Sequence, residues 1–373
     1  MTKNKLIVIL IIWQLIFTSC IKEREDLIQD GPTLIINVNW EDNSVIQFND
    51  LVDSVHYIPL KKTDPYIGDI TKLMILGEKF IIWDGRGKRV WIFDSQGNYL
   101  TDIYSLGNGP GEYLDMSDVF VASDGTVKIG DPTRNIILSY GLDGEYISSE
   151  HLEDYLPSYY YSKGDYQYIF SAYMPEKING AYHLNILKNG KFKYGYFPYD
   201  EIWRYSNDGF TAFKDKTLFY RTFDSDIYEV NEEKVSVFAE VQFDPKFESI
   251  LRTEKDESSE YESFLKDNEF AGMVGDIFFT NSHMSFSYTV YKNGSNYVKS
   301  CFYDLENNKL YDFNAIGGAE HISYTPKAAS NEWFFTSKDS YEFSNESLNF
   351  LSQQAGEEFT DMSNPVIIKF KVK

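Results

Sequence analysis

Cysteine is almost absent: Cys20 and Cys301 are the only two in 373 residues. Two cysteines cannot build a disulfide framework or a thiolate metal site. The five histidines (His56, His151, His183, His283, His321) stand far apart, with no H-x-H or H-E-x-x-H spacing. No local metal motif is present, and nothing calls for a cofactor. No G-x-S-x-G occurs, and no nucleophile stands beside a recognisable base. Positive charge is scarce, with 35 Lys and Arg against 57 Asp and Glu and a formal net charge of −22. That balance argues against nucleic acid and against anionic membrane surfaces, since both want basic patches. The longest apolar run, residues 6–17, is broken at Gln14 and falls short of the about 20 residues a bilayer span needs.

Aromatic residues are what the chain has in abundance. They make up 17% of it, with 29 Tyr and 28 Phe, and they favour strands. At 43% hydrophobic content the chain can bury a large core.

The first twenty residues read MTKNKLIVILIIWQLIFTSC. Lys3 and Lys5 precede the apolar run, and small Thr18 and Ser19 precede Cys20, the layout of a secretory signal. "LIFTSC" resembles a bacterial lipobox, with Phe17 in place of the usual Leu, which makes Cys20 the lipidated residue. Maturation adds more than one acyl chain, enough for stable anchoring. "IKEREDL" after Cys20 resembles the surface-export signal of Bacteroidetes lipoproteins; a solvated charged tether would read the same. The expected division is a signal peptide at 1–19, a lipidated tether at 20–44 and one domain over 45–373.

The stretch "SLGNGPGEY" (105–113) raises the question of a phosphate loop. Its spacing is G-x-G-x-G, Pro110 removes an N–H, Glu112 would repel phosphate, and no G-K-[ST] follows. Punctuation between pieces of β-structure is the better account. Shifting "KFIIWDGRGKRVWIFDSQGNYL" (79–100) by 47 onto "TVKIGDPTRNIILSYGLDGEYI" (126–147) places Asp84 on Asp131, Val90 on Ile137, Phe93 on Tyr140, Gly97 on Gly144 and Tyr99 on Tyr146. Each copy reads strand, turn, strand, glycine turn, strand, and a period in the forties built this way signals propeller blades. Degenerate copies follow at 183–197, 218–243, 302–313 and 332–343, with Asp304 in the place of Asp94. The expected fold is all-β, a six-bladed β-propeller with NHL-like blades. "VHYIPL" (55–60) and "VIIKFKV" (366–372) share the closing blade, which removes exposed sheet edges.

"VDSVHYIPL", "GNGPGEY", "FDSQGNYL" and "NPVIIKFKVK" together resemble the six-bladed β-propeller lipoprotein family of Bacteroidetes, over almost the whole mature chain. The resemblance implies the fold and an envelope address, and it implies little about the ligand.

With strands lettered A (inner) to D (outer), the B–C and D–A connections share one face and the A–B and C–D turns the other. The first face gathers the candidate binding residues Arg86, Arg89, Glu112, Arg134, Arg221 and Asp224. Asp84 and Asp131 end their B strands there, where an Asp commonly caps turn N–H groups. Residues 244–272 interrupt the repeat between blades four and five. Asp244–Pro245, a capping box at Ser259 and Glu262, and two apolar stripes predict one or two short helices capping the channel mouth. Aromatic clusters at 155–168 and 197–205, including Trp203, would suit stacking on sugars; packing between blades is the alternative. Cys301, on a strand, reads as a buried core residue.

The expected function is a cell-envelope lipoprotein, on the outer membrane and surface-exposed, that binds a ligand or partner at the channel mouth. A glycan, a peptide or an envelope protein would serve as partner, the membrane is reached through the lipid anchor, and nucleic acid is not a partner. Two alternatives stay open: a propeller hydrolase or lyase acting on glycans, and a non-catalytic scaffold in an outer-membrane assembly. No catalytic residue stands out.

Overall fold

Strands sandwiched between two neighbouring sheets must be apolar on both faces. The B and C strands of the first repeat, Lys79–Asp84 and Arg89–Asp94, are buried along almost their whole length. The D strand Tyr99–Ile103 is largely water-facing. The computed structural model describes residues 31–41, 45–152, 159–171, 182–198, 209–221, 224–232, 234–243, 268–313, 315–317 and 325–373.

Six four-stranded antiparallel sheets form the blades. Blade 1 is Lys72–Leu76, Lys79–Asp84, Arg89–Asp94 and Tyr99–Ile103. Blade 2 is Asp118–Val121, Val127–Asp131, Ile136–Tyr140 and Tyr146–His151. Blade 3 is Tyr159–Lys163, Tyr166–Phe170, Tyr182–Lys188 and Lys191–Pro198. Blade 4 is Phe210–Phe213, Lys216–Phe219, Asp226–Asn231 and Lys234–Gln242. Blade 5 is Phe270–Phe279, His283–Lys292, Ser295–Asp304 and Lys309–Phe313. Blade 6 takes A, B and C from Ala328–Ala329, Phe334–Lys338 and Val366–Val372, and D from the N-terminal strand Val52–Pro59. Val366 pairs with Pro59, Ile368 with Tyr57 and Phe370 with Val55, so the ring closes as the two end strands implied.

Side-chain alternation with period 2 sends neighbours on one strand into different seams. Phe80, Ile82, Trp91 and Phe93 pack toward blade 6, against Ile58, Phe335 and Ile367. Ile81, Val90 and Ile92 pack toward blade 2, against Val119, Ile129 and Leu138. Each of the other seams has its own apolar cluster.

The 47-residue period has a packing cause. Gly97 (φ 81°) and Gly144 (φ 85°) occupy equivalent C–D turns. A Cβ on Gly97 would sit 2.3 Å from the Pro59 carbonyl oxygen, and one on Gly144 3.0 Å from that of Asp102. Each turn therefore presses a bare Cα against the D strand of the preceding blade. Asp94 and Asp304 cap equivalent C–D turns: Asp94 accepts from Gln96 N and Asn98 N, Asp304 from Glu306 N and Asn307 N, all at 2.9–3.0 Å.

Three features differ from the sequence expectation. Leu34–Asn37, assigned to the tether, pairs in parallel with Lys234–Gln242 as a fifth strand on blade 4, burying Ile36. Phe270–Gly272, assigned to the insertion, already belong to the A strand of blade 5. The helices expected within 244–267 lie outside the described residues. A helix that was not expected, Asn345–Ala355, follows Ser344, whose side chain accepts from Ser347 N, and ends at Gly356 (φ 71°). It buries Leu348, Leu351 and Ala355 against Val366 and Ile368, beside Val55 and Tyr57. Among the described residues no helix is long and apolar enough to cross a membrane.

Candidate functional site

The two faces of the ring differ in the length of their connections. Every A–B and C–D turn is two to five residues long. On the other face the B–C connection of blade 6 covers 339–365, the D–A connection from blade 4 covers 243–269, and that from blade 1 covers 104–117. Loops that vary while a rigid scaffold holds their ends are where binding residues concentrate. This is the face on which the sequence gathers its candidates.

Most of those candidates are engaged in holding the face together. Asp84, 2% exposed, accepts from Gly68 N at 2.8 Å and Gly87 N at 2.7 Å. Asp131, fully buried, accepts from Leu114 N and Thr133 N at 2.9 Å and from Arg134 N at 3.2 Å. Both caps work on their own turn and on the connection lying beside it. Glu112 takes the Gly109 N–H at 2.6 Å and so folds its own loop. Arg134 donates to the Glu112 carbonyl oxygen. Arg89 turns outward: its guanidinium lies 4.7 Å and 4.1 Å from the Trp91 and Tyr104 ring centres and 3.3 Å from Asp102 Oδ2. Arg221 and Asp224 form a buried ion pair at 2.7 Å, with Tyr228 OH donating to the same carboxylate at 2.8 Å. Burial, then the Asp224 charge, pushes the Tyr228 phenol far above its ordinary value. Trp203 lies outside the described residues.

The loop "GNGPGEY" crosses from the D strand of blade 1 to the A strand of blade 2, as its glycines suggested. Tyr113 anchors it, donating to the Lys88 carbonyl at 2.7 Å, and burial raises its phenol to about 12. Lys88 pairs with Asp115 at 2.9 Å, and that hydrogen-bonded ammonium holds the Asp115 carboxyl below its usual range.

Arg86 is different. It is exposed and makes no hydrogen bond or ion pair among the described residues. Its charge acts on Tyr341, whose phenol is pushed up by its hydrogen bond to Asp339 and pulled down by Arg86. The B–C connections of blades 1 and 6 therefore lie within electrostatic reach of each other.

Around them stand groups that the sequence reading missed. Lys72 and Asp118 head the A strands of blades 1 and 2 and pair at 3.0 Å. Asp118 also accepts from Tyr160 N in blade 3 at 3.2 Å, so one carboxylate ties three inner strands. Lys327 donates to the Ile70 carbonyl at 3.0 Å. Desolvation pulls its ammonium below the usual lysine range, opposed by Asp69, Asp339, Glu342 and Asp276. Lys327 is nevertheless exposed. A charged residue directly before an apolar inner strand, as in "TKLMIL" and "SDVFV", was the available signal.

The aromatic clusters resolve as packing where described. Tyr161 stacks on Phe210 at 6.1 Å and Tyr159 lies 5.7 Å from Phe170, both within the blade 3–4 core. Cys301 is fully buried, and burial pushes its thiol well up. A polar cleft of about 190 Å³ lies at the blade 2–3 seam. Its side chains largely satisfy one another: Lys128 donates to Ser139 Oγ and Gln167 to Glu150 Oε1, each at 2.6 Å.

A family model described as 6-bladed beta-propeller matches residues 28–332. Among solved structures, a protein of Bacteroides fragilis described as exported aligns with TM-score 0.70 and 15% identity, over 91% of this chain and 99% of that one. A member of the duf4221 family from Bacteroides vulgatus aligns with TM-score 0.54 and 12% identity, over 87% and 97%. At such identities the likeness carries the fold alone. Comparison with curated proteins finds no match.

Proposed function

The chain belongs to this six-bladed β-propeller family, and on that premise we propose that it is an exported envelope lipoprotein, anchored at Cys20, that binds a peptide or protein segment at the long-connection mouth. The asymmetry between the two faces carries the reading: short turns on one, connections of up to 27 residues on the other. The chemistry of the mouth favours a peptide over a glycan. Lys72, Asp118, Lys327, Asp69, Asp339 and Arg86 present charges of both signs around the channel, which match termini and charged side chains. The described tyrosines of the 155–168 cluster pack in the blade 2–3 and blade 3–4 seams. The described exported neighbour from Bacteroides fragilis supports an envelope address.

The test is a thermal-shift screen of the purified chain against charged oligopeptides and glycans. A concentration-dependent rise with peptides, lost in Arg86→Ala and in Lys327→Met, supports the reading. A rise with glycans alone, or with peptides but unchanged in both variants, overturns it. Silence across both classes also counts against it and favours a scaffold role, to be pursued by affinity capture of envelope proteins.

A further inference from the structure

On the short-turn face, lysines outnumber acids where blades 3 and 4 adjoin, against the balance of the whole chain. Where the A–B and C–D turns of blades 3 and 4 come together, Lys163, Lys188, Lys191, Lys193, Lys214 and Lys234 gather. Asp165, Asp215 and Glu232 are the described acids of the same turns, and Glu233 of the sequence makes a fourth. Lys216 stands apart, paired with Glu229. The cluster is continuous across the seam. Lys163 Nζ donates to the Asp215 carbonyl, from one A–B turn to the next. Lys188 lies within electrostatic reach of both Asp165 and Glu232. The side chains of Lys191 and Lys193 are exposed and make no hydrogen bond or ion pair among the described residues. A net charge of −22 over the chain conceals this patch.

A second observation concerns the path of the N-terminal strand. Leu34 lies opposite Ala239 and Asn37 opposite Gln242, in parallel, and Thr33 N donates to Phe238 O at 3.0 Å. Lys234, at the start of that D strand, sits on the short-turn face, and Gln242 at its end approaches the mouth face. Traced backward from Leu34, the chain therefore heads toward the lysines. Twelve residues lie between Cys20 and Thr33, a reach of at most about 45 Å.

We propose that the short-turn face of blades 3 and 4 is the membrane-facing surface, its lysines set against anionic headgroup phosphates, with the binding mouth directed away from the bilayer. The proposal rests on the lipid-anchor reading. An anchored domain need not generate affinity of its own; it only has to prefer one orientation. Lysines near an anionic surface are attracted within about a Debye length, ~10 Å at 0.1 M salt. The rest of this acidic chain is repelled by the same surface, so both terms turn the molecule the same way. The bulk-charge argument against anionic membranes holds for free association but not for this face.

The experiment reconstitutes the full mature chain on vesicles of phosphatidylcholine alone and of phosphatidylcholine with phosphatidylglycerol. Lysine acylation rates are then read residue by residue by mass spectrometry. On the anionic vesicles at low salt, Lys191, Lys193, Lys214 and Lys234 are expected to label at least three-fold more slowly than on neutral ones, recovering in 0.5 M NaCl. Lys88 and Lys327, at the mouth, should not change. Lys191→Glu with Lys193→Glu, exposed positions whose replacement leaves the fold intact, should abolish the difference. Equal labelling on both vesicle types, or protection of Lys88 and Lys327 instead, overturns the proposal. Flotation with pure phosphatidylcholine vesicles reports the anchor separately. A chain that does not float there lacks the anchor, and salt-sensitive protection of the same lysines on anionic vesicles still decides the face.

Discussion

Lys299 and Asp312 pair at 3.0 Å inside blade 5, with side chains 1% and 8% exposed. The same carboxylate accepts from Tyr288 OH at 2.8 Å and from Cys301 Sγ at 3.4 Å, and the same ammonium lies 3.5 Å from the Trp40 carbonyl. One buried pair thus joins blade 5 to the N-terminal arm. Removing one partner leaves an uncompensated charge. Lys299→Met should cost about 3–5 kcal/mol in urea unfolding. Adding Asp312→Leu should recover part of the loss; no recovery would mean that the carboxylate is not the source of the cost.

Asp131 and Arg86 separate support from site. Asp131→Ala leaves three backbone N–H groups without their acceptor and should cost about 2 kcal/mol. Arg86→Ala breaks no described hydrogen bond and should stay within about 0.5 kcal/mol of the parent. Denaturation midpoints of the two variants check the contrast.

Two glycines with positive φ should respond unequally to alanine. Gly77 (φ 58°) has nothing within 4 Å of an added Cβ, whereas Gly97 has the Pro59 carbonyl at 2.3 Å. Gly77→Ala should cost only the left-handed backbone strain, about 1–2 kcal/mol. Gly97→Ala should cost clearly more, because the blade 1–6 seam must open. Melting temperatures of the pair decide it.

His283 makes stability depend on pH. Desolvation lowers its pKa below 6.5, opposed by Asp304, the Lys373 oxygen and Glu306. Ser282 Oγ lies 3.0 Å from Nδ1 and the Lys373 oxygen 3.1 Å from Nε2, which suits a neutral ring donating from Nε2. The unfolded chain then binds the proton more readily than the folded one. Stability is full above about 6.5 and falls as pH drops below that value toward the folded pKa. Urea midpoints at pH 7.5 and 5.5 should differ less in His283→Gln than in the parent.

Much of the architecture was legible in the sequence, and the reasons are physical. Asp84 and Asp131, 47 residues apart, cap equivalent turns, and Gly97 and Gly144 fill equivalent contacts. Repetition exposes such positions because every seam poses the same packing problem. The helix Asn345–Ala355 escaped because it lies in the B–C connection of blade 6, and among the described residues no other B–C connection offers a second copy to compare. Arg89, Glu112 and Arg134 were placed on the correct face by strand parity, yet parity says nothing of direction. Arg89 turns to Asp102 and the Tyr104 ring, and Glu112 turns to its own loop. Lys72, Asp118 and Lys327 were missed because single charges at strand heads acquire meaning only when the ring sets three inner strands side by side.

The shared blade also sets the order in which the ring can form. Val52–Pro59 leaves the ribosome early, and its partner Val366–Val372 follows some three hundred residues later. Until that last strand exists, the early one has no companion, and blades 5 and 1 flank a gap with apolar faces such as Phe302, Phe80 and Phe93 open to water. Contacts so distant along the chain come slowly and late. For most of its synthesis the protein is an open arc rather than a ring, and the interval before closure is when it is most exposed to aggregation and proteolysis.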